Sequence, residues 1–307
     1  MSSRYYDAIF NRCSIRSFKG GLTPKIKQSL QEFADDMQNN GMGEYGIRIA
    51  ICTSNRVFSK QFFHKSITGT DTFAAIISKY QEDMFVGYFG EHFVLECTAR
   101  GIGTCWLGLS YKKNAVDDVL TLDDGENVEC IIALGTPAED YVQRERKSVT
   151  ELTGYRADEY RSLPQWQKSV IECGRLAPSS MNAQPWKFHT YSDAVSIELA
   201  KNNHGFELID CGIAMLHMEL GAKAENVDTT WDISDDDRSV LVLAENENEL
   251  EIAKRENSED EQEFSDMDMN DFDPDDEALE AIIDDISGLS DESMYGYDEY
   301  TNSIDDE

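Results

Sequence analysis

The sequence predicts an α+β protein in which one succession of helices and strands occurs twice, as two imperfect copies. Three observations carry this reading. Segments with apolar residues at helical spacing alternate with short apolar runs of strand length. The order helix, strand, helix, small-residue loop, tryptophan, apolar strand occurs twice. Gly87 also stands as far before Trp106 as Gly212 stands before Trp231. The expected boundaries are 1–155 for the first copy, 156–244 for a shortened second copy, and 245–307 for an acidic tail.

The first copy opens on a short helix marked by Tyr5, Ala8 and Ile9. Thr23-Pro24 starts a helix through Asn39, with Ile26, Leu30, Phe33, Ala34 and Met37 as its apolar stripe. Gly46–Cys52 reads as a strand and Asp71–Lys79 as a helix. A longer helix runs from Gly87 to Ala99, Gly101–Gly108 forms a glycine loop, and Val128–Leu134 is a buried strand. In the second copy a helix begins at Leu163-Pro164 and carries Trp166, Val170, Ile171 and Leu176. Lys187–Tyr191 reads as a strand and Leu208–Ala224 as a helix. Trp231 and the strand Val240–Leu243 close the body.

Charge separates the body from its tail. The chain of 307 residues has a formal net charge of −33. From Glu245 on, 26 acids face 2 bases, which leaves only −9 for the body. The tail has too little apolar content to fold alone, so disorder is expected there. Asp266, Asp268, Asn270 and Glu277 give it a weak likeness to a calcium loop, but Asp271 replaces the turn glycine. Ala278–Ile286 has the spacing of an amphipathic turn or two. So acidic a chain repels phosphate backbones and anionic membranes, which argues against nucleic acid or lipid as partners. The seven cysteines form no CxxC pair and no metal spacing, as expected of reduced thiols in a cytoplasmic protein. Met1–Phe10 lacks the pattern of a secretory signal. No run is long and apolar enough to span a bilayer.

Three stretches carry the candidate chemistry. Arg12, Ser14 and Arg16 alternate in Arg12–Phe18, so an extended chain gives two guanidiniums and a hydroxyl one face suited to a phosphate. Arg144, Arg146 and Lys147 form a basic patch that suits either an anion or a solvated turn. Leu176–Trp186 ends a helix at Pro178 and presents Ser179, Ser180 and Asn182 in a polar loop before a strand. The five histidines, His64, His92, His189, His204 and His217, are scattered and read as structural or exposed.

The combination of Arg-x-Ser-Ile-Arg-x-Phe at Arg12–Phe18 with Ala-Pro-Ser-x-x-Asn-x-Gln-Pro-Trp at Ala177–Trp186 resembles the nitroreductase superfamily of flavin enzymes. Gly-Ile-Gly-Thr-Cys-Trp-Leu-Gly ending at Gly108, and Arg146-Lys147 after a Gly-x-Pro, fit the same family. Its members place the Pro-Ser-Ser-x-Asn motif soon after the arginine motif. Here it falls in the second copy, as in a branch with two subunits fused in one chain. The resemblance implies an α+β, nitroreductase-like fold of mixed or antiparallel sheets with flanking helices, its two fused, pseudo-symmetric copies forming an intramolecular pseudo-dimer.

The resemblance implies FMN as cofactor, one per chain, at the seam between the copies. Arg12 and Ser14 would hold its phosphate and ribityl chain, with Arg146 and Lys147 as further phosphate cations. Arg16 would lie by N1 and O2, where negative charge gathers on reduction. Pro178, Ser179, Ser180 and Asn182 would line the ring, and backbone amides near Leu107, Gly108 and Leu109 would reach N5. No residue is needed as a general base. Hydride would pass from NAD(P)H to a nitroaromatic, quinone or similar planar acceptor by ping-pong turnover. A flavin-binding regulator or sensor without turnover is the alternative. The pseudo-dimer implies a monomeric protein.

Overall fold

A computed structural model describes residues 2–58, 67–80, 82–138, 142, 144–233 and 238–243. The chain divides into two units, Met1–Ala253 and Lys254–Glu307. The second unit, with the Asp266–Glu277 and Ala278–Ile286 stretches, lies outside the described residues.

In the first unit, α1 (Ser2–Asn11) and the short β1 (Phe18–Gly20) precede α2 (Pro24–Asn39). Thr23 caps α2, its hydroxyl accepting from the Ile26 N–H, and Pro24 occupies the first turn, where no N–H is needed. β2 (Ile47–Thr53), β3 (Thr72–Ser78), α3 (Asp83–Ala99), β4 (Gly103–Leu107), α4 (Lys113–Asp117) and β5 (Asn127–Pro137) follow. Two short helices, α5 (Val149–Thr153) and α6 (Ala157–Ser162), lead to α7 (Gln165–Leu176). Then come β6 (Trp186–Thr190), β7 (Ala194–Leu199), α8 (Glu207–Ala224), β8 (Thr229–Ile233) and β9 (Arg238–Leu243).

Two sequence expectations are corrected here. Asp71–Lys79 is not a helix: Thr72–Ser78 is a strand buried at every position, hydrogen-bonded to β2 on one side and β5 on the other. A run buried on both faces loses the alternation that marks a strand, so periodicity cannot separate it from a buried helix. Gly101–Gly108 is only partly loop, since β4 occupies Gly103–Leu107 and pairs with β5. The strand β7 was not expected at all.

Every strand pairing is antiparallel. One sheet runs β1-β5-β3-β2, with β4 also paired to β5, and the other runs β6-β7-β9-β8. The succession β2-β3-β5-β4 thus recurs as β6-β7-β9-β8. In both cases one helix precedes the first strand and another separates the second strand from the third.

α3 and α8 are the centre of this arrangement. Both are apolar on nearly every side, which suits helices enclosed by other elements rather than lying on a surface. They cross at their glycines. A Cβ on Gly87 would collide with the carbonyl of Ile209 and the amide nitrogen of Ile213. A Cβ on Gly212 would collide with the carbonyl of Met84 and the amide nitrogen of Tyr88. The contact is reciprocal, with each glycine fitting three residues after one neighbour and one before the other. A single apolar core extends across it, from Leu30, Ile76 and Phe93 to Val170, Trp186 and Met218.

Replacing Gly87 by alanine should therefore destabilise the protein, although alanine favours an isolated helix by about 1 kcal/mol. Overpacking against backbone that cannot turn aside predicts a loss of about 3 kcal/mol in urea unfolding. Gly20→Ala, where a Cβ would meet nothing within 4 Å, should change stability by less than about 0.5 kcal/mol. Equal effects at the two positions would contradict the close crossing.

Candidate functional site

Pro178 cannot extend α7, and the chain leaves the helix at Ala177 in an extended conformation. The loop that follows is strained. Met181, Asn182 and Gln184 all have left-handed backbone, with φ of 52°, 59° and 46°. None is glycine, so each costs on the order of 1 kcal/mol that the surroundings must offset.

The basic patch supplies much of that support. Arg146 Nη1 donates to Asn182 Oδ1 at 2.8 Å, while its Nε and Nη2 donate to the Leu176 carbonyl. Asn182 Nδ2 returns a bond to the Glu145 carbonyl. The Lys147 N–H donates to Gln184 Oε1 and its ammonium to the Gln184 carbonyl, both at 2.8 Å. Burial, with Lys201 and Lys187 nearby, lowers the pKa of Lys147. Ser179 Oγ accepts from the Gln184 N–H.

The loop's other side rests on the start of α8. The Ser180 N–H donates to Asp210 Oδ1 at 2.8 Å. Asn203 Nδ2 donates to Asp210 Oδ2 at 2.7 Å and to the Ser180 carbonyl at 3.0 Å. Asp210 is 2% exposed. Burial pushes its pKa up to about 7, against the lowering pull of the two hydrogen bonds.

The arginine segment approaches from the end of α1. Arg12 is buried, and its Nε has no hydrogen-bond partner, lying 3.7 Å from Glu91 Oε1. Glu91 is itself buried on α3. Its Oε2 accepts from Trp106 Nε1 at 2.8 Å and its Oε1 lies 3.1 Å from His217 Nε2. His217 Nδ1 meets the Cys173 carbonyl at 3.2 Å. Both ring nitrogens of His217 therefore have a partner inside the protein.

Arg12, Arg144 and Arg146 line one pocket with Ile9, Phe10, Cys13 and Leu176. The structure thereby brings Arg12 and Arg146 together and adds Arg144, which the sequence placed only in the patch. Lys147 is turned to the loop rather than into this pocket. Ser14 bridges to Thr104, alongside β4, and Arg16 Nη1 donates to the Ser14 carbonyl at 3.2 Å. At the end of β4, Leu107 is buried and Leu109 is 71% exposed. Gly108 lies against Phe206, whose ring a Cβ there would strike. Phe206 immediately precedes α8, close in sequence to Asn203 and Asp210.

Glu91, Asp210, Asn203 and Phe206 were not singled out from the sequence. Glu91 and Asp210 left one usable signal, an acid set among the apolar residues of a helix that is otherwise buried. Among the described residues, no cluster could hold a metal ion and no helix is long and apolar enough to cross a membrane. All seven cysteines are free, and burial raises the pKa of Cys52, Cys97, Cys130 and Cys173.

This is an α+β fold of antiparallel sheets with flanking helices and a cationic pocket at the ends of α1 and α7. A family model described as "Putative TM nitroreductase" matches residues 4–222. The chain belongs to that nitroreductase family. A solved structure from Thermotoga maritima, described as a "putative nitroreductase", is similar at 23% identity with a TM-score of 0.52, covering 78% of this chain and 93% of that one. That likeness shows the nitroreductase fold. A nitroreductase with bound FMN from Desulfitobacterium hafniense matches at 15% identity and TM-score 0.36, over 45% of this chain and 93% of that one. An FMN-dependent nitroreductase from Clostridium difficile matches at 17% identity and TM-score 0.34, over 51% and 96%. No curated protein matches the chain.

Removing Glu91 should leave Trp106 Nε1 and His217 Nε2 without their shared partner and the buried Arg12 without its counter-ion. Glu91→Ala is expected to cost about 3–5 kcal/mol in chemical denaturation. A loss below about 1 kcal/mol would show that the network is hydrated or dispensable.

Proposed function

We propose that this protein is an FMN-dependent oxidoreductase that passes hydride from NAD(P)H to a planar acceptor such as a nitroaromatic or quinone. The observation that carries the reading is the pocket of three guanidiniums, Arg12, Arg144 and Arg146, in a body with net negative charge. Such a cluster has the chemistry that suits a phosphate, because the guanidinium fork matches phosphate oxygens. Family membership supports the redox class.

Bound FMN would supply the ring that accepts and then delivers hydride. The chain's part is to bind and to orient. Arg12 and Arg144 hold the phosphate, with Ser14 beside them and Arg146 joining the phosphate to the Ser179–Gln184 loop. Pro178, Ser179, Ser180 and Asn182 form one wall for the ring. Leu107, Gly108 and Leu109 present backbone from the end of β4 on the other, and Arg16 places positive charge where the reduced ring is most negative. Lys147 acts through Gln184, fixing the loop.

We also propose that the two halves are fused copies, numbered 1–155 and 156–244, of which one site survives. The repeated strand succession and the reciprocal Gly87–Gly212 crossing support this. In that arrangement the arginine segment comes from one copy and the Pro178–Asn182 wall from the other.

Purified protein should show a flavin spectrum, or gain one on adding FMN, and anaerobic NAD(P)H should bleach it. Arg144 is exposed, so Arg144→Ala should fold normally and weaken FMN about tenfold, as loss of one charge-assisted contact predicts. A protein that takes up no FMN, or an Arg144→Ala variant of unchanged affinity, would contradict the assignment.

A further inference from the structure

The Ser179–Gln184 loop is held from two sides by chemically different means. On one side Arg146 and Lys147 donate to it from a guanidinium and an ammonium. On the other a single carboxylate, Asp210, receives the Ser180 N–H on one oxygen and Asn203 Nδ2 on the other. Asn203 in turn donates to the Ser180 carbonyl, which also accepts from the Ala183 N–H within the loop. The three residues of the loop in left-handed backbone lie just beyond Ser180, and Met181 among them is 84% exposed. No apolar packing of Met181 holds that backbone in place.

We propose that Asp210 is the positioning residue of this loop, its ionised carboxylate holding Ser180 so that Pro178–Asn182 keep the conformation that lines the cofactor. The idea rests on the FMN reading for its second half, cofactor affinity, and on geometry alone for its first.

Only the ionised acid has two full acceptor oxygens. A proton on either oxygen turns it into a donor with nothing to receive it here, and one of the two bonds weakens. Asp210 shares its surroundings with Glu207 on its own helix, which raises its pKa, and with Cys130 on β5, which it affects in turn. Glu207 in turn helps to raise the pKa of Asp83 on α3, and His204 in the preceding loop helps to lower that of Glu207. With its pKa near 7, Asp210 changes charge across neutral pH.

Two consequences have opposite signs. A raised carboxyl pKa means that the folded protein binds more protons than the unfolded chain between about pH 4 and 7. The contribution of Asp210 to global stability therefore falls as pH rises through that window. Loop order and FMN affinity rise across its upper end, as the carboxylate forms. A purely structural buried acid would move all three together.

The test compares wild type, Asp210→Asn and Asp210→Glu at pH 6 and pH 8. Asparagine keeps the shape and supplies one acceptor oxygen, like the protonated acid. Hydrogen exchange of segment 177–186 in flavin-free protein reports the loop, and FMN titration reports affinity. At pH 8, Asp210→Asn should exchange about tenfold faster in this segment than wild type and bind FMN about tenfold more weakly, as loss of one charged hydrogen bond predicts. At pH 6 the two proteins should converge, and Asp210→Glu should recover part of the pH 8 difference. A loop difference at pH 8 with no FMN bound by any of the proteins upholds the loop lock and overturns the flavin reading. Equal exchange in folded wild type and Asp210→Asn at pH 8, or FMN affinities with the same ratio at both pH values, overturns the proposal.

Discussion

The backbone contact between α3 and α8 is the constraint on which the other features depend. Gly87 and Gly212 let two buried helices meet without side chains between them, each in the other's groove. That closeness sets what the flanking positions face. One turn beyond Gly87, Glu91 reaches His217 on the opposite helix and Trp106 on β4. Before Gly212, Asp210 reaches Ser180 and Asn203. A wider crossing would separate Glu91 from His217 and take from the buried acid its partner on the other helix.

Those acids stand next to the groups of the candidate site. Glu91 lies beside Arg12, and Asp210 accepts from the Ser180 N–H of the loop. Arg12 is close to Glu91 but makes no ideal bond to it, since the 3.7 Å separation leaves Nε without a hydrogen-bond partner. The loop adds a second kind of stored cost, three left-handed residues, and the rigid core beneath it is what allows that cost to persist.

Much of this was legible in the sequence where the signal is local. Thr23 and Pro24 mark the start of α2 because a cap and an N1 proline act within one turn. Gly87 and Gly212 stand at the same spacing before a tryptophan, but nothing local in the sequence shows that they meet. Asp71–Lys79 failed because β3 is covered on both faces, which erases the period that distinguishes strand from helix. The site divides the same way. Arg12, Arg146 and Asn182 belong to short motifs that can be read in place. Glu91 and Asp210 cannot, because their meaning lies in partners 126 and 30 residues away. An acid on a buried helix shows only that some partner must exist.

Flavin stoichiometry measured together with particle mass tests the single seam most directly. One FMN per chain, on a particle with the mass of one chain, is the predicted result. Two FMN per chain would mean that neither half has lost its site. A flavin bound only by a particle of two chains would place the site between molecules, and contradict the fused arrangement.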